Sequence, residues 1–169
     1  MPVNSDEILI SRLVEKLDEL GISFVRYDHP PAPDITTASL YWKDIEAAHC
    51  KNLFFRNHKG NRHYLVIIEH KHDLAIRDLE QLLKQGKLSF ASPERMMTHL
   101  GVTPGSVTPF GLINDSTHHV HLFIDKNLST VERISFHPLI NTSSFVIKRV
   151  DFERFLNSMG NGWEYITLY

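Results

Sequence analysis

Leu100–Asn114, LGVTPGSVTPFGLIN, places three glycines, two prolines and three small hydroxyl residues between what read as two regular elements. Proline removes backbone donors and glycine weakens helix interiors and strands alike, so the stretch predicts a fixed loop. Such a loop holds several backbone N–H and C=O groups in a shape that an ordinary sequence could not keep, which is one way polar substrates are gripped. A plain connection is the simpler account of an arbitrary glycine- and proline-rich loop, and the rest of the chain has to decide between the two.

Working outward, Ser92-Pro93-Glu94 supplies a hydroxyl N-cap, a proline at the first helical position and an acid in the first turn, so a helix runs from there into Gly101. Before it, Leu88 to Ala91 reads as a short strand, and Asp73 as the cap of a helix through Leu83 with Ile76, Leu79, Leu82 and Leu83 on one side. Lys51 to Arg56 and His63 to Ile68 flank Asn57-His58-Lys59-Gly60-Asn61 and read as a hairpin. At the N-terminus, Asn4 and Glu7 have capping-box spacing, and Ile10, Leu13, Val14, Leu17 and Leu20 recur at helical spacing up to Gly21. Ile22 to Asp28 reads as a strand cut off by His29-Pro30-Pro31-Ala32-Pro33, and Thr36 to Asp44 as a short helix.

Beyond the loop, Val120 to Ile124, Arg133 to Phe136 and Ser144 to Lys148 read as strands, Asp151 as the cap of a helix through Asn157, and Trp163 to Tyr169 as a last strand. Strands broken by scattered helices, without regular β-α alternation, predict an α+β (mixed α/β) fold: a mixed, mainly antiparallel central sheet surrounded by helices. No repeat or low-complexity tract divides the chain, and 169 residues are expected to form one domain over 1–169.

The bulk numbers exclude several classes. Hydrophobic content of 42% and charged content of 22% are those of an ordinary globular protein. Apolar runs such as Tyr64 to Ile68 are too short to span a bilayer, and Met1 to Asp6 shows no leader pattern, so no membrane is expected and the cytoplasm is the expected location. A net charge of −2 argues against broad coating of phosphates, which excludes a DNA-coating role and leaves room for a small local footprint on RNA. Cys50 is the one cysteine, which rules out a disulfide scaffold.

Among side chains with chemistry, Lys51-Asn52 at a strand start pairs a cation with an amide that both donates and accepts, a combination suited to phosphate and ribose. Eleven histidines raise the question of a metal, above all His118-His119-Val120-His121, where His119 and His121 are expected to share one face of a strand. No cysteine or carboxylate completes a recognisable ligand set and HExxH is absent, so surface histidines are the simpler account and no metal is expected. Cys50 and Ser106 are the possible nucleophiles, but Ser106 lacks the GxSxG frame, having Thr108 where glycine is needed. His137, before a proline at a strand end, reads as a base or a polar wall.

Taken in order, Lys51-Asn52-Leu53-Phe54, Leu88-Ser89-Phe90-Ala91-Ser92, Gly105-Ser106-Val107-Thr108-Pro109-Phe110-Gly111-Leu112 and Phe136-His137-Pro138-Leu139 resemble the YbaK/ProX family of aminoacyl-tRNA deacylases. Within it they look most like the freestanding prolyl-tRNA editing proteins, which hydrolyse alanine mischarged on proline tRNA and are related to the editing insertion of bacterial prolyl-tRNA synthetases. The resemblance runs from about His29-Pro30-Pro31 to the final helix.

It implies the YbaK/aminoacyl-tRNA synthetase-associated fold and a trans-editing hydrolase that releases alanine and free tRNA from Ala-tRNA(Pro). No cofactor is implied. The partners implied are the alanine-charged acceptor end of tRNA(Pro) and, in addition, prolyl-tRNA synthetase. Lys51 is implied as the lysine required for activity, Gly105 to Pro109 as the loop whose backbone contacts the aminoacyl group, and His137 as the histidine that selects the amino acid. Pro109 belongs to that loop motif, and Asn52, Ser106, Val107, Thr108, Phe110 and Gly111 are assigned to the pocket by proximity. Rival readings are a deacylase for cysteine or serine, a non-catalytic module that binds tRNA or a synthetase, and a metal-dependent hydrolase built on the histidine cluster.

Overall fold

A computed structural model describes residues 4–168. Helices are α1 (Ser5–Glu19), α2 (Ile35–Trp42), α3 (Ile76–Leu83), α4 (Pro93–Leu100) and α5 (Arg149–Met159); strands are β1 (Phe24–Asp28), β2 (Ala48–Arg56), β3 (His63–Glu69), β4 (Ser89–Phe90), β5 (Val120–Asp125), β6 (Arg133–Phe136), β7 (Ser143–Lys148) and β8 (Trp163–Ile166). The strands form one sheet in the order β1-β7-β6-β2-β3-β5-β8, with β4 paired to β2 off that path. Pairings β1–β7, β6–β7, β2–β3 and β2–β4 are antiparallel, whereas β2–β6, β3–β5 and β5–β8 are parallel. The expected mixed sheet with helices around it is therefore what forms.

Because successive side chains of a strand point to opposite faces, β2 feeds two cores at once. Phe54 joins a large cluster with Leu13 and Leu17 of α1 and Phe152 and Phe155 of α5, while Phe55 packs on the other face with Leu79 of α3. β3 is apolar through nearly its whole length, as a strand covered on both faces must be.

One feature of β2 positions the site. Its inner edge is paired with β3 from Cys50 to Arg56, but its outer edge is paired with β6 only at Ala48 and His49 and with β4 only at Phe55 and Arg56. Between these two short pairings, Cys50 to Phe54 leaves a window in the sheet, closed only at its end where the Phe54 carbonyl accepts from the Ala91 amide at 2.9 Å.

Several local expectations need correction. The loop of residues 100–114 is not wholly irregular: Pro109–Asn114 winds into a 3-10 helix, with the Thr108 hydroxyl accepting from the Phe110 amide at 3.3 Å and proline in its first turn. Asp73 does not cap α3, which starts at Ile76 without a side-chain cap, because its carboxylate is engaged by Lys51. Asp151 lies in the first turn of α5 rather than at its cap, which is Lys148. Asn4 caps α1 by accepting from the Asp6 amide at 3.1 Å, but Glu7 pairs with Arg26 instead of closing a capping box. The last strand ends at Ile166, and Tyr169 lies outside the described residues.

Candidate active site

The window in β2 opens on a cavity of about 270 Å³, and all of its residues, Cys50, Lys51, Asn52, Leu53 and Phe54, line it. Opposite stand Gly105 and Val107 of the central loop and His137, the residue after β6. The third wall is Ala32 to Ile35 with Ala38 and Trp42 of α2, and Phe90 and Met96 also contribute. Segments far apart in the chain thus meet because β2 is left unpaired there.

The loop approaches the third wall closely. A Cβ on Gly105 would sit 2.9 Å from the Pro33 carbonyl oxygen and 3.2 Å from its Cα, and the residue has φ +88°, so glycine is the one residue type that fits without strain. The Ser106 amide is spent on the Thr103 carbonyl at 3.0 Å, whereas those of Gly105 and Val107 have no hydrogen-bond partner among the described residues. Two backbone donors are therefore left at the cavity wall. The neighbouring wall is tied down as well: the His29 and Ala32 amides donate to the Thr142 and Asn141 carbonyls, each at 3.0 Å. His29 Nδ1 donates to the Pro30 carbonyl at 2.9 Å, its Nε2 meets the Ser144 hydroxyl at 3.1 Å, and its ring stacks on Tyr41.

Lys51 Nζ donates to Asp73 Oδ1 and to the His72 carbonyl, each at 2.8 Å. Its side chain is 20% exposed and that of Asp73 99% exposed, so the carboxylate reaches in from solvent to a partly sheltered cation. The hydrogen bond and charge of Lys51 hold the Asp73 carboxyl below its usual range. Asn52 Oδ1 is buried and has no hydrogen-bond partner among the described residues. A buried acceptor left open at a cavity is suited to a donor on a ligand.

His137 Nδ1 lies 2.9 Å from the Ser143 carbonyl, which must accept, so the proton is on Nδ1 and Nε2 carries a lone pair. Burial pushes its pKa down, against the hydrogen bond to Ser143, so the neutral form is favoured. Leu139, two residues on, has φ +73°, a conformation a branched side chain rarely adopts, in the turn that presents His137. Burial likewise drives the Cys50 thiol far up, with the charges of Glu69 and Asp125 adding to it, so Cys50 is a neutral wall rather than a thiolate nucleophile.

Of the residues expected at the pocket, Lys51, Asn52, Gly105, Val107 and His137 come together around the cavity. Ser106, Thr108, Pro109, Phe110 and Gly111 do not line it; they are buried behind it, Phe110 against Phe136, Phe145 and Phe155, and Gly111 where a Cβ would lie 2.8 Å from the Leu100 carbonyl. Their place is to fix the loop against α4 and the core. Asp73 and Met96 escaped sequence reasoning, and Phe90 was named only within the Leu88–Ser92 motif. Only Asp73 carried a usable signal, as an acid just past the end of the hairpin strand that pairs with Lys51.

The residues 29–155 match the model of the aminoacyl-tRNA editing domain. The chain belongs to the aminoacyl-tRNA editing domain family. The resemblance drawn from the motifs is borne out, and the family is one of hydrolases acting on mischarged tRNA. This editing domain is 35% identical over 158 residues, 92% of its length and 95% of the other's, to the prolyl-tRNA editing protein ProX of Acetoanaerobium sticklandii. It is 28% identical to the prolyl-tRNA synthetase associated domain-containing protein 1 of Mus musculus, over 90% of this chain and 92% of that one. Its fold matches the crystal structure of a candidate trans-editing enzyme for prolyl tRNA synthetase with a TM-score of 0.68, covering 99% of this chain and 98% of that one at 19% identity, a likeness that speaks to the fold.

Proposed function

We propose that this editing domain acts in the cytoplasm as a trans-editing deacylase that removes alanine from mischarged tRNA(Pro), with prolyl-tRNA synthetase as the enzyme whose errors it corrects. The observation that carries the reading is the single cavity shared by Lys51, the Gly105–Val107 wall and His137. The similarity to a prolyl-tRNA editing protein over nearly the whole chain supports the choice of tRNA.

An aminoacyl ester is already activated, so its hydrolysis needs a trapped substrate, a positioned water and donors aimed at the developing oxyanion. The unpartnered amides of Gly105 and Val107 are the donors in this reading. Lys51 exchanges the fully exposed Asp73 for a phosphate of the tRNA 3′ end, a trade that costs little because water and salt screen a carboxylate so open to solvent. Asn52 Oδ1 accepts from a substrate N–H or O–H, and the lone pair on His137 Nε2 holds the water or the α-ammonium group. Proton transfer passes through water, and no protein nucleophile is used.

Amino-acid choice is steric in this account. The cavity admits the methyl group of alanine and excludes the ring of proline, which protects the correctly charged product. A pocket that must tell apart groups differing by a methylene gains only about 1–3 kcal/mol, which is why a second and smaller sieve is needed after the synthetase. Deacylation of Ala-tRNA(Pro) by the wild type and by Lys51→Ala tests the reading. The variant is expected to lose roughly 100-fold or more in kcat/KM, the scale on which catalytic positioning acts, with an unchanged circular dichroism spectrum. Full activity in Lys51→Ala would remove the lysine from the mechanism.

A further inference from the structure

Three imidazoles that the editing site does not use converge on one point. His63 opens β3, His99 lies in the last turn of α4 and His119 immediately precedes β5, so three separate elements deliver them. One ring nitrogen of each lies within 4.8 Å of those of the other two. Nδ1 of His63 is 2.8 Å from Nε2 of His119, and the His99 ring sits 4.1 Å from that of His63 and 4.7 Å from that of His119, centroid to centroid. His63 is 3% exposed and the other two are half-buried. His121, expected to share a strand face with His119, is not part of the cluster and turns to Glu164 at 3.3 Å.

Mutual hydrogen bonding does not account for the cluster. His63 and His119 share one proton between facing nitrogens, but His99 makes no hydrogen bond among the described residues although its ring packs against both. We infer that His63, His99 and His119 form a site for one divalent transition-metal ion of the zinc class, separate from the editing cavity. Three imidazole nitrogens with no carboxylate in the set select Zn²⁺, Co²⁺, Ni²⁺ or Cu²⁺ over the oxygen-seeking Mg²⁺ and Ca²⁺. Zn–N bonds of about 2.0–2.1 Å in a tetrahedron place ligand nitrogens about 3.3 Å apart, which small side-chain rotations reach from the present spacing. A fourth ligand comes from solvent through the cavity of about 640 Å³ that His63 and His119 line.

Arg95 sets a condition on this binding. Its Nη1 donates to His63 Nε2 and to the Gly60 carbonyl, each at 2.9 Å. Ligation through His63 Nδ1 moves the ring proton to Nε2, so Arg95 keeps the Gly60 carbonyl alone and the ion takes the place of the proton shared with His119. None of the three histidines lines the editing cavity, but His63 stacks on Phe54 and α4 carries Met96, both of which do. The ion therefore acts as a staple across β3, α4 and the start of β5, behind one wall of that cavity.

The test uses tag-free protein stripped by chelator and dialysed. Titration with Zn²⁺ is followed by calorimetry and thermal unfolding, and titration with Co²⁺ by visible absorption. One equivalent should bind with a Kd on the order of micromolar or below, raise Tm, and give Co²⁺ the intense visible bands of a four-coordinate nitrogen site. His99→Ala and His119→Ala should each weaken binding by about tenfold or more, while His121→Ala leaves it unchanged. His99→Gln serves where alanine impairs folding. Absence of saturable binding, or binding that survives both His99 and His119 variants, overturns the inference; so does binding lost in His121→Ala alone. None of these readings involves tRNA, so they stand apart from the editing reaction.

Discussion

At the scale of single residues, the tie between Lys51 and Asp73 is the contact with the most to say about function. A carboxylate that is 99% exposed cannot hold a lysine tightly, because water and salt screen the pair. In the proposed mechanism it keeps the ammonium poised at the cavity until a phosphate competes for it. Asp73→Asn is therefore expected to lower KM for the aminoacyl-tRNA by up to about fivefold with kcat little changed, read from steady-state deacylation. A large fall in kcat would show that Asp73 does more than tether. Two half-buried or buried histidines give a second prediction. Burial lowers the pKa of His49 and His137 below the 6.5 of the unfolded chain, so the unfolded state binds protons more readily below that pH. Stability that comes from keeping them neutral is fully present above pH 6.5 and is lost as the pH falls below it. Urea midpoints should therefore be lower at pH 5.5 than at pH 7.5, and a flat profile would contradict the assignment.

At the scale of elements, the loop of residues 102–108 and strand β2 make the site between them. Gly105→Ala pushes a methyl group onto Pro33 at a left-handed φ and should destabilise the protein by about 1–3 kcal/mol, with a matching loss of deacylation. Chemical denaturation measures the first effect, and wild-type stability in this variant would show that the loop can back away from the wall. These elements were legible in the chain to different degrees. α1, the β2–β3 hairpin and the start of α4 announce themselves through periodicity, a glycine-bearing turn and Ser92-Pro93, all local signals. The window in β2 is not local. It exists because β6 and β4 each pair with only two residues, and nothing within residues 50–54 says which strands stop short. Asp73 misled for a related reason: an acid before an apolar run reads as a cap, and its real partner is Lys51, on the neighbouring strand's far end.

At the scale of the whole molecule, sequence motifs separated by up to eighty-odd residues collect around one cavity, while a histidine cluster gathers behind it. Lys51, Asn52 and His137 were nameable from the chain because their types suit the chemistry, Gly105 through its motif, and Val107 only by its place beside that glycine. Thr108, Phe110 and Gly111, the buried residues around Pro109, were assigned to the pocket by proximity because sequence adjacency does not distinguish a wall from the packing that supports it. Among the described residues no helix is long and apolar enough to cross a membrane. The central claim, that this cavity hydrolyses alanine from tRNA(Pro) and spares proline, is tested most directly by initial rates of deacylation on tRNA(Pro) charged with alanine, cysteine, serine or proline. The account predicts rapid loss of alanine, slower loss of cysteine and serine, and an intact prolyl ester. Cleavage of the prolyl ester at the alanyl rate, or an alanyl ester that is spared while the cysteinyl or seryl ester is cut, would contradict it.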